Sequence, residues 1–127
     1  MEYVGAGRAL LVFGGPVGAP HLWFLLTDPD LESNKVIAVM VVSERRHTDK
    51  TVTLQPGDHP FISHASNLDF GGTKLIPANE ILAKMKSGRW RPQADMSSKL
   101  LEVVRSGLLR SPRTVNFIVE YCRSRFG

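Results

Sequence analysis

At 127 residues, 43% apolar and 22% charged, the chain is long enough to bury the core of one domain and falls outside the disordered class. Its one cysteine, Cys122, excludes a disulfide framework within the chain and fits a reducing compartment. No run reaches the roughly eighteen apolar residues of a membrane span, and Met1-Glu2-Tyr3-Val4 lacks the basic and apolar regions of a secretory signal, so a cytoplasmic protein with no membrane partner is expected.

The net charge of +4 is unevenly spread. Residues 1–73 carry five Lys or Arg against eight acids, net −3, and residues 74–127 carry eleven against four, net +7. A basic half has two readings: an electrostatic footprint for nucleic acid, or the solvated outer faces of helices.

Arg8 to Phe13 (RALLVF) is a short apolar run closed by the breaker cluster Gly14-Gly15-Pro16. His21 to Leu26 (HLWFLL) is a second, stopped by the turn chemistry of Asp28-Pro29-Asp30. Lys35 to Ser43 (KVIAVMVVS) is rich in β-branched residues and reads as a central strand. Glu44 to Asp49 is a polar loop. Thr51 to Leu54 alternates and ends at Gln55-Pro56-Gly57, and Phe61 to Asn67 and Thr73 to Ile76 read as further strands. Short strands between Gly, Pro and Asp turns predict a small antiparallel barrel or strongly curved sheet over about 8–76.

The hydrophobic period then changes to that of helices, over about 77–125. Pro77 opens a helix to residue 87, with Ile81, Leu82 and Met85 on one face and Gly88 as its C-terminal cap. Arg89-Trp90-Arg91-Pro92 reads as a connector. Ser97 or Ser98 caps a helix over 98–109, and Ser111-Pro112 starts another over 112–125, striped by Val115, Ile118, Val119, Cys122 and Phe126. The fold class is therefore α+β, one domain spanning 1–127.

The densest polar cluster is residues 57–67 (GDHPFISHASN). Histidine gives or takes a proton near neutral pH, so a pair can divide acid and base roles. On a strand over Phe61 to Asn67, His64 and Ser66 would share a face, with His59 at the rim of the same cleft. The plainer alternative is a turn stabilised by Asp58 and His59 and an ordinary strand histidine at 64. His59 and His64 are five apart, which matches no zinc framework, so no metal is expected. No G-x-S-x-G elbow or phosphate-binding loop occurs, and no cofactor is expected. Arg45, Arg46 and Lys50 follow the central strand and have the chemistry to grip a phosphate. Arg89, Trp90 and Arg91 interleave a ring between cations, as single-strand binders do, although Trp90 reads more simply as an anchor for the connector.

Taken in order, the strand LWFLLTDPD, the strand VIAVMVVSERR and the helix MSSKLLEVVRSGLLRS resemble the MazF/PemK-like toxins of toxin–antitoxin pairs. The resemblance covers roughly residues 8–110. It implies a small SH3-like antiparallel β-barrel with C-terminal α-helices, a homodimer, an antitoxin-like protein partner and metal-independent endoribonuclease activity on RNA. Where the family has an Arg-Pro pair at its second strand, with the Arg at the scissile phosphate, this chain has Pro20-His21. Ser43 matches the family's hydroxyl at the end of the third strand, and the segment from Pro112 lies beyond the usual family end. The catalytic set expected is His21, Ser43, His59, His64 and Ser66: His64 or His21 as base, His59 as acid, Ser43 or Ser66 orienting the phosphate. The rival expectation is a non-catalytic barrel that binds nucleic acid or a protein.

Overall fold

The computed structural model describes residues 3–13 and 19–126. The Gly14-Gly15-Pro16 breaker lies outside the described residues. Among these residues seven strands form one antiparallel sheet: β1 (Ala9–Val12), β2 (His21–Leu25), β3 (Lys35–Ser43), β4 (Thr53–Leu54), β5 (Ser66–Leu68), β6 (Lys74–Pro77) and β7 (Trp90–Gln93). Three helices accompany them: α1 (Ala78–Lys86), α2 (Ser98–Arg110) and α3 (Asn116–Arg125). No helix among the described residues is long and apolar enough to cross a membrane.

β3 organises the sheet. Along one edge it pairs with β2, from Trp23↔Met40 to Leu25↔Ala38. Along the other its first half takes β6, from Lys35↔Pro77 to Ala38↔Lys74, and its second half takes β5, from Val41↔Leu68 to Ser43↔Ser66. The strand order is β4-β5-β3-β2-β1-β7, with β6 as a branch on β3. Of the expected small barrel or curved sheet, the antiparallel α+β architecture holds, and among the described residues the sheet is not closed: β4 and β7 end the path unpaired with each other. A run buried on both faces reads as continuously apolar, which is why KVIAVMVVS shows so little alternation.

Successive residues of these strands feed two cores on opposite faces. On one face Phe24, Ile37, Val39, Leu68 and Phe70 pack with Leu100, Val104 and Leu108 of α2 and with Ile118 and Cys122 of α3. On the other, Leu10, Leu25, Val36 and Ala38 pack with Ala78, Ile81 and Met85 of α1, and Trp23 and Trp90 are partly buried against them. Burial pushes the Cys122 thiol up to about 12, so it is a packing group and no thiolate is available at neutral pH.

The helix ends follow local chemistry. α1 closes with Gly88 at φ 79°, where Gly88 N–H donates to Met85 O (3.1 Å) and Arg89 N–H to Lys84 O (3.2 Å), a Schellman arrangement. The Ser97 hydroxyl accepts from Leu100 N–H at 3.0 Å and caps α2. Two expectations are corrected here. Trp90-Arg91-Pro92 belongs to β7, paired with β1, because an edge strand tolerates Pro92. α3 starts at Asn116 and not at Pro112, because Ser111 is engaged as the C-cap of α2 and Thr114 donates its hydroxyl to Leu108 O at 2.7 Å. Of the predicted α3 stripe, Ile118 and Cys122 are buried and Val115 is exposed.

Gly107, in the last turn of α2, lies hard against Val52 and Phe70. A Cβ there would collide with Val52 Cγ2 and lie 2.9 Å from Phe70 Cζ, and both neighbours are buried. Replacing a helical glycine by alanine ordinarily gains up to about 1 kcal/mol. Here overpacking against a fixed ring outweighs that gain, and Gly107→Ala is expected to lower unfolding stability by about 1–2 kcal/mol. Urea denaturation of the two proteins checks the sign; a stabilised variant would contradict it.

Candidate functional site

β2 begins, β3 ends and β5 begins at the same end of the sheet, and the segment from Phe61 to Ala65 lies across it. The Phe61 to Asn67 strand is corrected: only Ser66–Leu68 pairs, and the preceding residues are a turn and an irregular stretch. Pro60 has no N–H for a ladder, and Ile62 N–H turns back to His59 O at 2.9 Å. The alternation of side chains expected for 61–67 is therefore lost. His64 reaches the end of β3 from a loop, held there by Glu44 N–H donating to Ala65 O (3.0 Å) and by the Ser43↔Ser66 pair.

The result is a cleft of about 260 Å³ whose lining includes Pro20, His21, Ser43, Phe61, Ser63, His64 and Ser66. His64 is exposed, and both its ring nitrogens meet hydroxyls: Nε2 lies 2.7 Å from Ser43 Oγ and Nδ1 lies 3.2 Å from Ser63 Oγ. With the ring proton on Nδ1, the imidazole donates to Ser63 and accepts from Ser43, the polarity a general base requires. His21 is exposed on the same cleft. Ser66 lines the floor but is buried, its hydroxyl donating to His64 O at 2.9 Å, so it fixes the loop backbone and has no free proton to offer. Ser63 was not among the residues singled out, although its place beside His64 was the available signal; Phe61, exposed at the rim, is likewise new.

His59 does not join this cleft. It is 3% exposed, its Nε2 sits 2.6 Å from Ala94 O, its Nδ1 accepts Phe61 N–H at 3.0 Å, and its ring tilts against Phe24 with centroids 5.7 Å apart. Both nitrogens are occupied in packing the 59–62 turn onto the core, so the acid role expected of His59 is corrected to a structural one.

Beyond Ser43 the chain enters the 44–50 loop, which carries the expected cations. Arg45 and Arg46 are exposed, and Arg45 Nη1 donates to Glu44 O at 2.9 Å. Lys50 donates to Arg45 O and to Thr48 Oγ1 (2.9 Å) and lies 3.9 Å from Glu44, so it braces the loop. The loop is anchored from below by Asp49, 4% exposed, which accepts from Thr51 N–H (2.9 Å), Thr51 Oγ1 (2.6 Å) and Ser111 Oγ (2.5 Å). Thr48 and the buried Asn67 add a 2.7 Å bond. From the α2–α3 connection Arg113 Nη1 donates to His47 O at 2.9 Å, adding a cation that sequence reasoning had not placed near the loop.

Trp90 and Arg91 lie elsewhere, on β7, with Arg89 just before it. Arg91 stacks over the Phe13 ring at 4.6 Å, and Trp90 packs on the second core. Beside them runs a larger and more apolar groove, about 450 Å³, lined by both tryptophans. Among the described residues no group of three or more His, Cys, Asp or Glu is placed to hold a metal ion.

No family model, curated protein or solved structure matches the chain.

The Asp49 anchor has a pH signature. Burial by itself raises this carboxyl, but hydrogen bonds from Ser111 and Thr51 and the nearby Arg113 charge outweigh it and hold it below the ordinary 3.8. A carboxyl depressed in the folded state contributes stability above its unfolded value and loses it as pH falls through its folded value. Asp49→Asn is therefore expected to cost about 2–3 kcal/mol at pH 7, and the gap from the native protein should narrow from about pH 5 downward. Denaturant titrations across that range check this; a gap constant down to pH 3 would refute the assignment.

Proposed function

We propose that the chain is a metal-independent endoribonuclease that cleaves single-stranded RNA by internal transfer, with His64 as general base and His21 as general acid. The carrying observation is the 2.7 Å contact between His64 Nε2 and Ser43 Oγ in a cleft that His21 also lines. Such a transfer needs one group to take a proton and one to give it, on a phosphate with some charge relief, and no metal ion is required.

The substrate phosphate enters over Ser43 and takes the hydroxyl's hydrogen bond, which frees Nε2 of His64. That nitrogen removes the proton of the ribose 2′-OH as its oxygen attacks phosphorus. The bond from phosphorus to the 5′ oxygen breaks, and protonated His21 supplies the proton to that leaving oxygen. A 2′,3′-cyclic phosphate and a free 5′-OH result. Ser63, on Nδ1, holds the imidazole in the acceptor orientation at Nε2. Arg45 and Arg46, two and three residues past Ser43, offset the charge gathered on the non-bridging oxygens.

The likeness to MazF/PemK-like toxins supports the same reading and adds an SH3-like curvature to the sheet, a homodimer, an antitoxin-like partner and a cytoplasmic setting. Pro20-His21, in place of the family's Arg-Pro, substitutes a titrating ring for a fixed cation at the phosphate, consistent with giving the proton rather than only binding charge.

Unstructured RNA incubated with the protein in EDTA is expected to yield fragments ending in cyclic phosphate. His64→Ala should lower the rate by a factor of about 10²–10⁴. Intact RNA with the native protein, or equal cleavage by His64→Ala, would reject the nuclease. Salt-sensitive RNA binding without turnover would instead favour the non-catalytic binding module.

A further inference from the structure

Among the described residues, Phe61 is the large apolar side chain that is both exposed, at 42%, and part of the lining of the His64 cleft. A lone exposed ring is ordinary on a protein surface, so exposure by itself assigns nothing to it. Its place is less ordinary. Phe61 and His64 are three residues apart, which keeps their Cα atoms within about 11 Å. Both line the cleft of about 260 Å³ that His21 and Ser43 also line. The turn beneath the ring is fixed: Phe61 N–H donates to Nδ1 of the buried His59 at 3.0 Å, and Nε2 of that imidazole sits 2.6 Å from Ala94 O. Ile62, the next residue, is buried in the core. The ring is thus presented to solvent on a preset backbone, and covering it costs little ordering entropy.

We propose that Phe61 is a stacking platform for an unpaired nucleobase next to the phosphate held at Ser43 and His64. The assignment rests on the RNA reading and deepens it. The cleft matches both parts of a nucleotide: the Ser43 hydroxyl and the imidazoles suit a phosphate, and the Phe61 ring with exposed Pro20 suits the flat face of a base. Its volume lies at the small end for ligand sites, on the scale of one nucleotide rather than of a folded segment. Paired bases keep their faces stacked inside the helix, so only an unpaired base can cover the ring. Every base has such a face, so stacking here selects unpaired RNA without selecting a sequence. A second copy of the chain is the poorer occupant, because one exposed ring falls far short of the roughly 1,000 Å² that a stable interface buries.

The probes are a 2′-O-methyl RNA hexamer, which has no attacking hydroxyl, and a wholly abasic chain of the same length and charge. The native protein is expected to bind the hexamer roughly ten-fold or more tightly than the abasic chain. Phe61→Ala and Phe61→Leu should bind the two chains about equally, whereas Phe61→Tyr, which keeps a flat ring, should retain the preference. Circular dichroism checks that each variant folds, and the Leu and Tyr variants decide the outcome if the Ala variant does not. No preference in the native protein, or the native preference in Phe61→Ala or Phe61→Leu, would overturn the platform; cleavage of ordinary RNA in the same preparation would leave the nuclease standing. A preference that depends on Phe61, with no cleavage of ordinary RNA, would keep the platform and remove the nuclease. A doubled native mass that falls to that of one chain in Phe61→Ala would put a second copy on the ring and overturn the proposal.

Discussion

The pairing of β3 on both edges is the constraint from which the rest of the structure follows. One nine-residue strand bonds β2 along one edge and, along the other, divides itself between β6 and β5. Its alternate side chains serve two cores, Ile37 and Val39 under α2 and α3, Val36 and Ala38 under α1. Every hydrogen-bonded group in its interior leaves little room for a change of register, since a slip by one residue would exchange the two faces. The end of this strand is Ser43, so the position of the candidate catalytic hydroxyl is inherited from the best-determined element of the fold.

The polar groups around that strand end divide according to burial. Asp49, Asn67, Ser66 and His59 are buried and spend their hydrogen bonds on the protein itself. They hold the 44–50 loop and the 59–65 segment in place, since a buried polar group left without a partner costs more than the bond returns. His64, Ser63 and His21 are exposed and remain accessible to a ligand. The distinction explains why two histidines five residues apart have different tasks. A second tie works at the far end of the molecule, where Arg125 reaches Asp30 at 2.8 Å and docks α3 onto the β2–β3 turn. The backbone hydrogen bond from Ser33 and then the side-chain hydrogen bond from Arg125 hold the Asp30 carboxyl down to about 2.

Much of the fold was legible. Continuous apolar runs, β-branched in β3, located β2 and β3 almost to the residue, and the periodic stripe with Gly88 and Ser97 located α1 and α2, because these signals are local and each satisfies backbone groups within a turn. β7 was not legible: WRPQ contains a proline and no alternation, and only its pairing with β1 makes it a strand. Ser111-Pro112 carried a local signal for a helix start, but Ser111 closes α2 and Thr114 returns its hydroxyl to Leu108 O, so α3 begins only at Asn116. Of the site, His64 was named for its chemistry and His21 and Ser43 through the family likeness, and the three share a cleft, whereas His59, named for its chemistry as well, is packed away.

Residue order alone determined the α+β class, the basic second half, the strand and helix inventory apart from β7, and the side chains able to move a proton. Those properties depend on composition, period and neighbours in the chain. Tertiary structure decided that the sheet stays open, that Ser43 and His64 meet at 2.7 Å, and that both tryptophans share a groove. Each of these is a contact between segments distant in sequence. Burial and competition for hydrogen-bond partners select among them, and neither is expressed in any local stretch of residues.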